Sequence, residues 1–467
     1  MSGSSTRRTG FRHPVLLGAA LIGLSLPQTA FAAGITQIPE PPSARLNFYP
    51  GTQLKDNVKT AISRVEYDVS DTTTVYGSVG YTDLDYQQTF PSGRPNSLGN
   101  FAVSNAYYDY FSKTTAADAG VRTKFSTGSV RHTLAVGVNL LNQESGFFYV
   151  TTPPSASVPS SLYNPSALPV ITAARTAPVK SAELRQSSVV VADTMSFAND
   201  RVLLTLGARD QTLEQEGFAP TGATTSRTKS SAISPLAGLV VKPTNNVSLY
   251  TNYTAGLVRG GTAGAGTANV GETFAPQKSR QNEVGVKVDW GTLTTQAALY
   301  QIKRPNSLID PASLIYSFGG EQRNRGLELT AYGEVQRGLR VMASAAFNDA
   351  KLTRTAGAVN QGNDAPGVPD RTFNVGLDWD TPWVPGLSLN GRVIHTSSVY
   401  ADTQNRLSVP AWTRLDLGAR YVTRVANKPV VLRANLENVQ NKNYWVTSTY
   451  VTVGAPRTLM LSASVDF

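Results

Sequence analysis

The chain has 467 residues, with 42 lysines and arginines against 32 aspartates and glutamates, a formal charge of +10. It contains no cysteine, which excludes disulfides, cysteine-based zinc or iron–sulfur sites and thiol nucleophiles. Three scattered histidines (His13, His132, His395) cannot make a metal cluster, and with 40% hydrophobic residues and a mean hydropathy of −0.18 the chain is not a bundle of membrane helices.

Arg7, Arg8 and Arg12 precede an apolar run from Val15 to Leu26, and PQTAFAA follows. A basic start, a run too short to span a bilayer and an Ala30-Phe31-Ala32 cleavage site predict a secretory signal peptide over residues 1–32, with the mature chain starting near Ala33. Removing those three arginines from the 42 cations leaves 39 against 32 acids, spread along the chain. That distribution offers no basic face, so no nucleic-acid partner is expected.

After a short segment over 33–57, residues 58–467 read as one amphipathic strand after another. Val65, Tyr67 and Val69 alternate with Arg64, Glu66 and Asp68; Val284, Val286, Val288 and Trp290 alternate with Glu283, Gly285, Lys287 and Asp289. The same period of two recurs at Phe373–Trp379, Leu415–Tyr421 and Leu432–Leu436, and in the closing GAPRTLMLSASVDF. No helical stripe interrupts it. Connections alternate between short ones, such as Ser70–Thr72, Thr127–Ser129 and Gly291–Thr292, and long ones near 87–106, 150–181, 216–229, 259–276, 305–320, 353–369, 401–410 and 440–455. Tryptophans 290, 379, 383, 412 and 445 sit near strand ends. A soluble β-sandwich gives no reason for this asymmetry, whereas an antiparallel transmembrane outer-membrane β-barrel does. About seventeen strands are expected, with residues 43–52 available for an eighteenth. The final Phe467 resembles the terminal aromatic read by the machinery that inserts such barrels.

Five stretches, in order, resemble the TonB-dependent siderophore receptors of Gram-negative outer membranes: Ala192–Gln211, Glu272–Trp290, Asn324–Val335, Leu436–Trp445 and Gly454–Phe467. Ala192 and Asp210 depart from the Gln and Tyr often found there. The resemblance implies a barrel of the 22-stranded type and uptake of ferric siderophore driven by TonB, with outer-membrane lipid and lipopolysaccharide around the wall. It also implies an N-terminal plug and TonB contact box. Residues 33–57 are too short for a plug, so the chain reads as an N-terminally truncated barrel, and Arg209, Lys287, Arg392 and Arg433 would face the lumen.

No catalytic constellation is visible, and the Gly-rich stretch Gly261–Gly271 lacks the following helix of a phosphate loop. An enzyme is not expected, nor a cofactor beyond the iron carried by a bound siderophore. The resemblance places ligand recognition on aromatic and basic side chains at the outer mouth, where they suit a bulky polar ligand. The candidates are Tyr108, Tyr110, Phe147, Phe148, Tyr149, Tyr163, Arg259, Phe274, Arg304, Tyr316, Trp412, Tyr444, Trp445 and Tyr450; the competing role for each is an interfacial girdle. Phe147-Phe148-Tyr149 stands first, because three adjacent aromatics on a strand cannot all face lipid. The expected function is siderophore reception in an incomplete form; the alternatives are a non-gated pore, a surface-binding module and a truncated product without function.

Overall fold

The computed structural model describes Phe31 and residues 35–46, 52–263, 267–269, 272–310, 313–447 and 451–465. The signal-peptide reading (apart from Phe31), Ala33, Tyr450 and Phe467 lie outside the described residues. The main sheet has eighteen strands. One of them, Val158–Ser161, is a short piece paired only with Asn100–Val103. The other seventeen form one antiparallel ladder, each paired with its neighbour in sequence, from Gln53–Ser70 to Thr458–Val465. Inside a hydrocarbon layer such a ladder satisfies, between its two edge strands, the backbone N–H and C=O groups that lipid cannot.

Of the possible further strand over 43–52, residues 43–46 and 52 are not in a strand and 47–51 lie outside the described residues; the first described strand starts at Gln53. Several expected loops are also shorter than their sequence suggests. Thr73–Ser92 and Asn100–Thr127 stay in register out to Ser92 opposite Ser104, so only 93–99 connect them. About ten residues suffice to cross a bilayer, and Asn100–Thr127 has 28. The excess rises above the lipid as a palisade, because polar strands can pair in water as well as in lipid. At the opposite edge the turns are tight. Ala426 (φ 50°) and Asn427 (φ 65°) make a two-residue connection of the left-handed kind that matches strand twist.

The two faces separate as the alternation predicts. On one face Val136, Val138 and Leu140 pair with or neighbour Val189 and Val191, and Leu249, Val284, Leu299, Val375, Leu417, Leu432 and Leu461 continue an exposed apolar band. The other face is polar and cross-linked. Arg64 and Arg122 both reach Glu66 and lie 5.4 and 5.3 Å over the Tyr76 ring. The Tyr250 hydroxyl donates to Glu283 at 2.8 Å and accepts from Gln296 at 2.9 Å, and Arg340 and Arg420 share Asp378 and Asp380. Arg209 reaches Asn139, Arg392 reaches Asn374 and Arg433 reaches Ser464, all on this inner face.

Candidate ligand site at the long-loop rim

Strand register assembles an aromatic ladder at the rim. Tyr86 pairs with Tyr110, Tyr110 with Phe147, and Tyr108 with Tyr149. Directly opposed residues share a face, so all five rings project from the inner face. The Tyr86 and Tyr110 rings stack at 5.1 Å, Tyr108 stacks on Phe147 at 6.0 Å, and Tyr149 meets Tyr108 edge-on at 6.3 Å. These are favourable aromatic separations. Tyr149 is the most open, at 47% exposure. Phe148 falls between them in sequence and therefore on the outward face, opposite Asp109. The three adjacent aromatics divide two inward and one outward.

Arg259 stands against this ladder. It follows the strand Val247–Val258, five places along the ladder from Asn100–Thr127, yet it lies close enough to Tyr110 for their charges to interact. That approach across the sheet requires the inner face to be concave. Burial lowers the guanidinium pKa and Tyr110 partly opposes the shift. An arginine stays charged under such conditions, so a partly desolvated cation lies within charge range of Tyr110.

The outward face of the Asn100–Thr127 strand holds the long connection that follows Thr151. Arg175, in the 152–178 connection, donates from Nε to Asp109 Oδ2 at 2.7 Å, from a second nitrogen to the other carboxylate oxygen, and lies 4.5 Å over Tyr107. Asn105 donates to the Pro169 carbonyl at 3.1 Å. Asp109 is nearly inaccessible, and its hydrogen bond holds Arg175 above the ordinary guanidinium value. The connection is thereby clamped to the outside of the palisade.

The remaining candidates are placed elsewhere. Arg304 projects from the inner face and donates to Gln322 at 2.9 Å, apart from the ladder. Tyr316 is 3% exposed, packs on Phe274 at 5.4 Å, and sits so close to Gly261 that no side chain fits there. Trp412 stacks on Tyr444 at 4.6 Å, and Gly454 leaves room for the Tyr444 ring. Trp445 is 6% exposed within a cluster of Phe31, Ile38, Leu162, Val399, Leu407 and Val409. Tyr163 donates to the Glu40 carbonyl. Tyr86 and Arg175 were not among the sequence candidates. Tyr86 stands just before the expected 87–106 loop, and the one local sign of the Arg175 clamp is an acid set among aromatics in AYYDYF.

A polar-lined antiparallel wall with an exposed apolar band and an aromatic mouth defines a membrane β-barrel of the receptor type. The family model described as TonB dependent receptor-like, beta-barrel matches residues 3–439, and the chain belongs to that family, one of receptors and transporters rather than enzymes. The chain is 37% identical over 455 residues to the ferrichrome receptor FcuA of Yersinia enterocolitica, covering 93% of this chain and 59% of that one. It is 28% identical over 374 residues to the ferrichrome outer membrane transporter/phage receptor of Escherichia coli K12, covering 75% and 48%. Among solved structures, BauA, the ferric preacinetobactin receptor of Acinetobacter baumannii, superposes with a TM-score of 0.82 at 34% identity, over 94% of this chain and 66% of that one. The chain thus spans about half to two thirds of the length of these relatives.

Proposed function

We propose that this chain forms the barrel part of an outer-membrane receptor for ferric siderophores and that the rim ladder is where the ligand is first held. The observation that carries the reading is the ladder of Tyr108, Tyr110, Phe147 and Tyr149 on the inner face, with Arg259 within charge range of Tyr110. A siderophore wraps its iron in an organic shell; phenol rings offer that shell flat contact and hydroxyl hydrogen bonds, and a half-buried arginine offers a charge-assisted one. The names of two relatives make ferrichrome the first ligand to try. Coupling to TonB, contact with lipopolysaccharide and residence in the Gram-negative outer membrane are part of the same proposal. Ile38 and Pro39 pack against the long connections, which supports a rim-packing role for that segment.

Two measurements test this together. Radiolabelled ferrichrome and ferric preacinetobactin are offered to receptor-deficient cells carrying the chain, with and without TonB, and equilibrium binding is measured on the purified protein. Saturable binding that weakens in Tyr108→Ala and Phe147→Ala supports the reading. TonB-dependent uptake would extend it to transport, and absence of binding to both ligands would refute it. TonB-independent leakage of antibiotics would instead indicate an open pore.

A further inference from the structure

Ile38-Pro39-Glu40-Pro41-Pro42 lies in irregular backbone on the long-loop side and is not part of the ladder. Three of its residues, Ile38, Pro39 and Pro42, are buried, while Glu40 is exposed. Pro39 and Pro42 are three apart, the repeat of an extended proline helix, so one side of the segment is apolar and the other is wet. The buried side meets aliphatic and aromatic residues from three connections: Leu162 from 152–178, Val399, Leu407 and Val409 from 397–411, and Trp445 from 438–457. Two aromatic donors read the backbone of the segment. Trp445 Nε1 donates to the Pro39 carbonyl at 2.8 Å in a buried setting, and the Tyr163 hydroxyl donates to the Glu40 carbonyl at 2.9 Å. After Pro42 a turn, with Leu46 N–H on the Ser43 carbonyl, ends the stretch.

An aromatic N–H and a phenol aimed at successive carbonyls of a proline-containing segment, over apolar walls, is the physics by which proline-rich peptides are recognised. Proline carbonyls are good acceptors, and a proline-stiffened segment loses little entropy when held. We infer that the loop crown carries a proline-peptide groove, formed by Trp445, Tyr163, Leu162, Leu407 and Val409, and that residues 38–42 of this chain occupy it as a strap. The strap ties three connections that no shared sheet joins. Its anchors all follow Ala33, so processing at the predicted cleavage site leaves it in place. The inference does not depend on which ligand the rim takes.

The natural absence of cysteine makes a single reporter clean. Leu407→Cys is introduced alone and together with Ile38→Ser and Pro39→Ser, and maleimide modification is timed on the full chain in outer membranes. The strap substitutions lie outside the wall and leave its ladder intact. With the strap in place the thiol is shielded; with the substitutions it reacts about tenfold faster or more, because the local cover is lost. A synthetic peptide TQIPEPPSA added in excess then slows the reaction again, whereas the same peptide with serine for both Pro39 and Pro42 does not. Equal rates with and without the strap substitutions overturn the inference. Failure of the peptide to protect, or equal protection by the serine peptide, overturns the proline-groove assignment.

Discussion

Two aromatic groups stand on the same rim, and they differ in what holds them. Tyr108, Tyr110, Phe147 and Tyr149 are carried by paired strands, and register turns every second side chain to the inner face whether or not anything covers it. Trp412, Tyr444 and Trp445 lie at or within connections, where the backbone can bend until the rings are buried. They end packed on one another, on Gly454 or beneath the 38–42 strap. The difference teaches that a rigid wall fixes the face of each aromatic by register, while a pliable connection uses its aromatics for its own cohesion.

The largest effect that could break this contrast is expected at Trp445. Trp445→Ala removes a buried indole and leaves the Pro39 carbonyl without its donor, which costs about 3–5 kcal/mol locally. Amide exchange in 399–409 should accelerate by two orders of magnitude or more on that estimate, while exchange in 130–151 stays unchanged. A uniform change across both regions would show that crown and wall are one unit.

Next comes Arg175→Ala, which strands the nearly inaccessible Asp109 carboxylate. Removing one partner of a buried pair costs about 3–5 kcal/mol, reduced here to about 2–3 because Arg175 is partly exposed. Protease cutting within 152–178 of the folded protein should rise accordingly. Unaltered cutting would mean that the connection is held elsewhere.

Smaller again is the ladder itself. Tyr108→Ala should weaken ferric siderophore binding by about 1–2 kcal/mol, roughly tenfold in Kd, with no change in crown exchange. Phe148→Ala, on the outward face, should leave Kd within about twofold. An equal loss from both variants would erase the distinction between inner and outer faces.

The smallest expected effect concerns acid. Above the lipid band, burial would raise the Glu183 pKa, but hydrogen bonds from Lys180 and Arg185 outweigh it and hold the carboxylate below its ordinary 4.5. A lowered folded pKa stabilises the protein above about that pH, and the contribution is lost as pH falls through the folded value. The unfolding midpoint should therefore drop on acidification below pH 4.5, and Glu183→Gln should flatten that drop. An unchanged acid profile in the variant would exclude Glu183 as its source.

Much of the wall was legible beforehand because its signal is local. Leu432, Ala434 and Leu436 against Arg433 and Asn435 display both faces of a strand within five residues, and short turns announce themselves by residues such as Ala426-Asn427 that precede a new alternation. The site was legible only in part. Phe147-Phe148-Tyr149 marked itself, since period two forbids three neighbours on one face. Tyr86 did not, because its importance comes from standing opposite Tyr110, and Arg175 did not, because its partner lies 66 residues away. Tyr316 and Trp445 looked like mouth residues and are packing residues.

By itself the sequence determined the class of structure, the face of each strand and the side that carries the long connections, since these follow from alternation and from the need to pair every backbone group in lipid. The tertiary structure alone decided which rim aromatics share the inner-face ladder, that Arg259 comes within charge range of Tyr110, and that residues 38–42 cover Trp445. Those outcomes depend on register between distant segments and on how pliable connections fold back, and neither leaves a periodic trace along the chain.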